Sequence, residues 1–332
     1  MKIVKLQGKG KVSIVETKRP ECTEDSVVIQ VKASALCGSE LHALKELPQD
    51  NEFFNGGHEV VGVIVEAAAN SPFKVGKRVG ACVVQGCGVC AYCQAGYETA
   101  CSNKSYNAGN AHAEYFRLGI AGVRPIPDDV DWPGATLLTG DGLGVPARAA
   151  SRLGETRGKK VLVIGLGPIG LGCVLVQGFK GAKVMGVDLS EYRIALSKEL
   201  GAERSANVKD EGWKESVMDW SEGKGADIVI LAVPKNEALL NAIELVAQQG
   251  IVFQVAEFEE ATINPSAAFV RKEITMTGSW YYTSADWTAM LAMQKQGLEL
   301  TKLITHIFPF EEAQKAFDTF TSGKSGKVVL QY

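Results

Sequence analysis

The sequence predicts an α/β protein that contains a doubly wound parallel sheet beside a separate region of short β-strands. Three observations predict this. From residue 161 onward, β-branched runs alternate with helical segments. The segment Gly165-Leu166-Gly167-Pro168-Ile169-Gly170 stands between one such run and one such helix. Before residue 120 the chain reads as short strands broken by turns. At 332 residues, and with about 150 per domain, two domains are expected.

In chain order, Val27–Val31 and Val60–Val65 are β-branched runs, the second bracketed by Gly56-Gly57 and Asn70-Ser71-Pro72. The stretch VRPIPDDVDWPGA (123–135) is proline-rich and reads as a connection between domains. Strands of the parallel sheet are expected at 161–164, 183–187, 204–208, 227–233, 250–256 and 273–278. Helices are expected between them, in SEYRIALSKELGA and in KNEALLNAIELVAQQG, where Leu239, Leu240, Ile243, Leu245 and Val246 have mostly i/i+3/i+4 spacing. The last segment, ITHIFPFEEAQKAFDTFTSGKSGKVVLQY, should add one amphipathic helix and a terminal strand to the first domain.

Composition excludes several functions. Apolar residues make up 46% and charged residues 22%, which suits a globular chain and not a disordered one. A net charge of −3, from 35 basic and 38 acidic residues, lacks the excess a general nucleic-acid binder needs. Val161–Phe179 is uncharged and approaches the ~20 residues of a membrane span, but its five glycines and Pro168 fit strand, turn and helix better. No membrane association is expected. The first 16 residues show no secretory signal, so a cytoplasmic protein is expected.

Of eight cysteines, Cys22, Cys37, Cys82 and Cys173 are scattered, while Cys87, Cys90, Cys93 and Cys101 follow the pattern C-x2-C-x2-C-x7-C. Disulfides are disfavoured in a reducing cytosol. Four thiolates on one glycine-containing loop suit a tetrahedral, closed and hence structural zinc site. The spacing is not a common ferredoxin pattern, which favours zinc over an iron–sulfur cluster.

The GLGPIG turn has the context of a dinucleotide site. Gly165 makes the turn, Gly167 admits a pyrophosphate, Gly170 allows close helix–strand packing, and Pro168 and Ile169 open the helix whose N-terminus faces the phosphates. Asp188 ends the following strand, where a carboxylate accepts both ribose hydroxyls and repels a 2′-phosphate. NAD is therefore expected over NADP. Arg193 is a candidate for stacking on the adenine, with a surface helix arginine as the equal alternative.

Further candidate ligands stand in Cys37-Gly38-Ser39-Glu40-Leu41-His42 and Gly57-His58-Glu59. With these segments, the four-cysteine loop, GLGPIG followed by Asp188, and the closing FEEAQKAF…GKVVL, the sequence resembles the zinc-dependent medium-chain alcohol and polyol dehydrogenases over nearly its whole length. The resemblance implies a GroES-like β-rich catalytic domain (1–142 with 284–332) and a Rossmann-type NAD-binding domain (143–283). It also implies an active site in the cleft between them and a homodimer or homotetramer. By the same resemblance Cys37 and His58 are ligands of a catalytic zinc, the second zinc of the chain. Asp141 falls where the family has its third ligand, more often Cys or Glu. Glu59 corresponds to a carboxylate that in some members sits behind the metal and in others binds it, and is the alternate third ligand.

The implied chemistry is hydride transfer from an alcohol to NAD⁺, giving a ketone or aldehyde. Zinc would acidify the alcohol, and Ser39 would pass its proton through the cofactor ribose to His42 and solvent. His112 and His306 read as structural. Trp280-Tyr281-Tyr282 and Trp287 could stack on a sugar or polyol, but packing in a core or interface is the preferred reading. No arginine adjoins Cys37, so a phosphorylated substrate is not suggested; a polyol, sugar or other secondary alcohol is expected. The rivals are a lyase or dismutase that retains its NAD, and a non-catalytic zinc- and NAD-binding sensor or lens-type protein.

Overall fold

The structure is a computed structural model and describes residues 1–46, 56–107, 109–257 and 259–332, apart from the side chain of His42. The chain divides into two compact units, residues 1–144 with 281–332, and residues 145–280.

The second unit is built on a six-stranded sheet in the order Arg204–Asn207, Lys183–Asp188, Lys160–Ile164, Ala226–Leu231, Val246–Gln254, Thr275–Gly278. Every neighbouring pair is parallel. The order reverses at Lys160–Ile164, as in doubly wound sheets that bind nucleotides beyond their strand ends. Strands buried on both faces should be almost wholly apolar, and Val161, Leu162, Val163, Val229, Ile230 and Leu231 are all buried. Helices Pro168–Phe179, Glu191–Glu199, Trp213–Trp220 and Asn236–Leu245 connect the strands.

One expected helix is shorter than its periodicity suggests. Asn236–Leu245 stops before VAQQG, whose Val246 opens the next strand by pairing with Ala226. Val246 is buried in the sheet's core, and the chain kinks at Gln249, which has φ of 58°. Sheet pairing of a β-branched residue overrides the local helical spacing here.

The first unit is β-rich. Its main sheet runs Ile304–Pro309, Lys327–Gln331, Ser26–Ala35, Glu59–Ala67, Arg78–Ala81, Val123–Pro125, with Tyr115–Gly119 also paired to Ser26–Ala35. Residues 123–135, expected to connect domains, belong wholly to this unit. Val123–Pro125 is an edge strand, where proline is tolerated. The Asp131 carboxylate caps helix Trp132–Thr139 by accepting from Gly134 N at 2.8 Å, and Arg78 stacks 4.1 Å from the Trp132 ring centroid.

The closing segment lies in this unit as strand Ile304–Pro309, helix Ala313–Thr321 and strand Lys327–Gln331. Helix Ala313–Thr321 buries Ala313, Ala316, Phe317 and Phe320 against Val4, Leu6, Leu36 and Leu44. Among the described residues, no helix is long and apolar enough to cross a membrane.

Phe317 is fully buried, and its ring meets the His112 ring edge to face at 5.9 Å. Phe317→Ala should cost about 3–5 kcal/mol of stability. Denaturant titration followed by tryptophan fluorescence measures this, and an unchanged midpoint would contradict the packing described.

Candidate active site

Two antiparallel strands bring the first ligand candidates together. Ala35, at the end of strand Ser26–Ala35, is paired with Glu59, at the start of Glu59–Ala67. Cys37 follows the first and His58 precedes the second, so both stand at one end of the sheet. Asp141 reaches the same place as the first residue of helix Asp141–Leu153. Two glycines permit this convergence. Gly57 has φ of 93°, and a Cβ there would lie 2.8 Å from His112 N. A Cβ on Gly140 would lie 2.5 Å from the Glu59 carboxylate.

One ligand atom from each of Cys37, His58, Glu59 and Asp141 lies within 4.8 Å of all the others. Asp141 Oδ2 is 2.9 Å from His58 Nε2 and 3.6 Å from Cys37 Sγ. Its other oxygen, Oδ1, is buried with no hydrogen-bond partner. Thiolate, imidazole and carboxylate form a donor set that suits Zn²⁺, and the orphaned acceptor is a group that a cation would satisfy.

Glu59 is placed differently. Its Oε1 is ion-paired with Lys327 Nζ, and its Oε2 accepts from Gly142 N at 3.4 Å. Lys327 also donates to Leu36 O at 3.1 Å, and both Lys327 and Glu59 are essentially inaccessible to solvent.

Burial would lower the Lys327 pKa, but the charges of Glu59 and Cys37 outweigh it and hold it above its ordinary value. Burial lifts the Glu59 carboxyl against the pull of Lys327, which it contacts directly. Desolvation acts against charge on His58 and Asp141 too. Their mutual attraction wins, raising the imidazole well above its usual value and lowering the carboxyl.

Behind Cys37 lies a buried polar chain. Cys37 N donates to Glu40 Oε2 at 3.0 Å, and Glu40 Oε1 is 2.9 Å from His112 Nε2. His112 Nδ1 is 2.8 Å from Ser34 Oγ, which is 3.1 Å from the Tyr332 hydroxyl. His112, expected to be structural, thus fixes the loop that carries Cys37. His306 lies on strand Ile304–Pro309 and contacts Thr305 Oγ1 at 2.9 Å. Ser39 is exposed in the turn before helix Glu40–Glu46. His42 belongs to that helix, and its side chain lies outside the described residues.

The four loop cysteines also meet: one ligand atom from each of Cys87, Cys90, Cys93 and Cys101 lies within 4.8 Å of the rest. Their thiols are driven apart in acidity. Backbone N–H groups of Val89 and Cys90 lower Cys87 to about 6, while burial and then the neighbouring sulfurs push Cys93 up to about 12. Four sulfurs this close need a cation to be thiolates together, and the all-thiolate set fits a closed Zn²⁺ site.

Of the WYYT aromatics, Tyr281 and Tyr282 are buried and stack at 4.6 Å, and Trp280 is exposed. The tyrosines are core, as preferred over sugar stacking. Tyr281 accepts from Val83 N at 3.2 Å, and the Tyr282 hydroxyl bonds to Thr139 O.

In the second unit, Gly165 has φ of 92° and a Cβ there would strike Val233 at 2.1 Å. A Cβ on Gly170 would lie 1.8 Å from Gly165 O, so helix Pro168–Phe179 can pack on its strand only through glycine. At Gly167 a Cβ would meet nothing within 4 Å. The helix N-terminus is thus open to an incoming phosphate, and Pro168 and Ile169 form its first turn. Asp188 Oδ2 accepts from Leu166 N at 2.6 Å, and its Oδ1 accepts from Leu189 N and Ser190 N at 2.8 Å.

Asp188 lines a cavity of about 350 Å³ with Val187, Val208, Trp213 and Lys235, a space that suits an adenosine. Arg193 is half-buried; burial lowers its pKa against the opposing charge of Asp188.

Residues 23–128 match the family described as alcohol dehydrogenase GroES-like domain, and residues 168–296 match zinc-binding dehydrogenase. The chain belongs to the zinc-dependent medium-chain dehydrogenases. It is a zinc-containing alcohol oxidoreductase of α/β fold, with a GroES-like domain and a Rossmann-like sheet.

Curated relatives of this dehydrogenase include the L-threonine 3-dehydrogenases of Marinomonas sp. strain MWYL1, 29% identical with 99% of each chain covered, and of Paraburkholderia phytofirmans strain PsJN, 28% identical with 99% and 98% covered. An Escherichia coli CFT073 alcohol dehydrogenase solved with NADH is 25% identical, with TM-score 0.88 over 100% of this chain and 99% of that one. A Clostridium scindens zinc-binding dehydrogenase shares the fold at TM-score 0.89 and 23% identity, over 100% and 99% of the two chains.

The sequence did not single out two residues beside the candidate sites: Lys327, ion-paired with Glu59, and Trp213, which lines the cavity beside Asp188. Zinc analysis should find two ions per wild-type chain and about one in Cys93→Ser or Asp141→Asn, since each change opens a single site. Cys93→Ser should also lower the unfolding temperature, whereas Glu59→Gln should keep both ions. One ion in the wild type, or an undiminished count in Asp141→Asn, would contradict the two donor sets.

Proposed function

We propose that this enzyme reversibly oxidises a polyol, sugar or other small secondary alcohol to the ketone with NAD⁺, at a zinc ion held by Cys37, His58 and Asp141. One observation carries the reading: Asp141 Oδ2 lies beside both His58 Nε2 and Cys37 Sγ while Asp141 Oδ1 is a buried acceptor without a partner. Three protein ligands leave one position of a tetrahedral ion for substrate. The L-threonine 3-dehydrogenase relatives support a secondary alcohol, since threonine carries its hydroxyl on a secondary carbon. The NADH complex of the E. coli relative and the carboxylate of Asp188 support NAD.

When bound, zinc supplies Lewis acidity toward the alcohol oxygen and the nicotinamide supplies the hydride acceptor. The chain's own residues position and relay. Glu40 holds the Cys37 loop through the Cys37 N–H, and His112 holds Glu40. Ser39, exposed two residues beyond Cys37, accepts the alcohol proton, and His42 passes it to solvent. Cys87, Cys90, Cys93 and Cys101 hold the structural zinc. The proposal includes a cytoplasmic homodimer or homotetramer; light scattering coupled to gel filtration distinguishes these from a monomer.

The test is a panel of secondary alcohols, headed by L-threonine and including polyols and sugars, mixed with NAD⁺ and followed by near-ultraviolet absorbance. Release of NADH is expected with wild type and is lost in Cys37→Ser. Asp188→Ser should relax the preference for NAD⁺ over NADP⁺ by removing repulsion of a 2′-phosphate. Equal use of NADP⁺ by the wild type would remove Asp188 from this role. Turnover without NADH release would indicate a lyase or dismutase with retained cofactor, and no turnover at all a binding protein.

A further inference from the structure

The cluster around Cys37 contains one carboxylate more than a catalytic zinc needs. Glu59 is close enough to Cys37, His58 and Asp141 for all four to hold one ion. Four protein ligands would close the site, as in a structural zinc centre, and leave no position for a substrate oxygen. What separates the two carboxylates is the use of their oxygens. Asp141 directs Oδ2 to His58 and Cys37 and leaves Oδ1 without a partner. Glu59 has both oxygens engaged, Oε1 by Lys327 Nζ and Oε2 by Gly142 N.

Lys327 comes from strand Lys327–Gln331, 268 positions from Glu59 in the sequence, and is 1% exposed. Its Nζ also donates to Leu36 O, the carbonyl just before Cys37. We propose that Lys327 is a positioning residue that holds Glu59 off the catalytic metal and so keeps the substrate position open.

The charges support this. Thiolate, Asp141 and Glu59 bring three negative charges, which Zn²⁺ and the Lys327 ammonium together balance. Without the ammonium, Glu59 is a buried anion whose nearest available cation is the metal. Lys327 thereby sets the number of protein ligands without touching the substrate, and its tether to Leu36 O ties that control to the backbone bearing Cys37.

The inference rests on Cys37, His58 and Asp141 holding the ion, and cobalt substitution of the full-length enzyme tests both. The d–d bands of Co²⁺ at an open site shift when imidazole binds, while those of the four-cysteine site do not. Wild type should take two Co²⁺ per chain and respond to imidazole. Lys327→Met should lose that response, and a chelator should remove the ion of that site more slowly than from wild type, since a fourth protein ligand closes it.

Lys327→Met/Glu59→Gln should regain the response, and Lys327→Arg should keep it. If the Met variant does not fold, Lys327→Gln, which retains a donor for Leu36 O, should show the same loss. A purely structural lysine would give faster metal loss in Lys327→Met with the imidazole response intact, and that result overturns the proposal. Two cobalt ions with unchanged behaviour in Lys327→Met removes this inference alone. A single cobalt in the wild type removes the three-ligand reading as well.

Discussion

The first unit depends on how charge is balanced at one buried sheet end. Cys37, His58, Glu59 and Asp141 are gathered where solvent barely reaches, and isolated charges in such a place are expensive. The apolar strands around them cannot supply the compensation. It comes from Lys327 on one side and, by its donor chemistry, from a divalent cation on the other. Most local choices in this region serve that arrangement. Gly140 leaves room for the Glu59 carboxylate, Gly142 donates its N–H to it, and Gly56, where a Cβ would lie 2.4 Å from the Glu40 carboxylate, leaves room for the chain behind Cys37.

The same logic explains why polar networks, costly in a core, persist here. Glu40, His112 and Ser34 are buried, yet each has partners that run from Cys37 N to the Tyr332 hydroxyl. Burial would raise the Glu40 carboxyl, but His112 outweighs it and keeps it below its ordinary value. A charged acceptor is thus fixed on the amide of the thiol residue, so the sulfur is placed by backbone geometry as well as by its own rotamer. Phe317 closes the far side of the His112 ring, tying the network to the apolar core beneath it.

What could be read from the sequence follows from distance along the chain. Cys87 to Cys101 span fifteen positions, so their spacing alone announces a tetrahedral site. GLGPIG and Asp188 are legible for the same reason: turn, helix start and strand end succeed one another within one supersecondary unit. Cys37, His58 and Asp141 are scattered, and only their likeness to a known family drew them together before the fold did. Lys327 stayed hidden because nothing local in GKVVL, the segment that contains it, reveals Glu59, 268 positions away. Residues 123–135 misled in the opposite way. Their prolines suggest a connector, yet proline also suits an edge strand and a helix start, which is where the fold places them.

The four-cysteine loop has little apolar material of its own, so its effect on the rest of the unit passes through polar anchors. Glu98, within the loop, accepts from Ser284 N at 3.0 Å and also bonds the Ser284 hydroxyl. The Arg124 guanidinium donates to that same hydroxyl at 2.9 Å. Ser284 opens helix Ser284–Lys295, and the two residues before Thr283 are the stacked tyrosines. Tyr282 bonds Thr139 O and fills the space a Cβ on Gly144 would need, which brackets Asp141 from both sides along the chain. The loop is therefore linked by successive contacts to the segment that carries Asp141. The two donor sets thus lie in one connected part of the first unit, so a metal at Cys87–Cys101 would, by ordering its loop, also support the segment that carries Asp141.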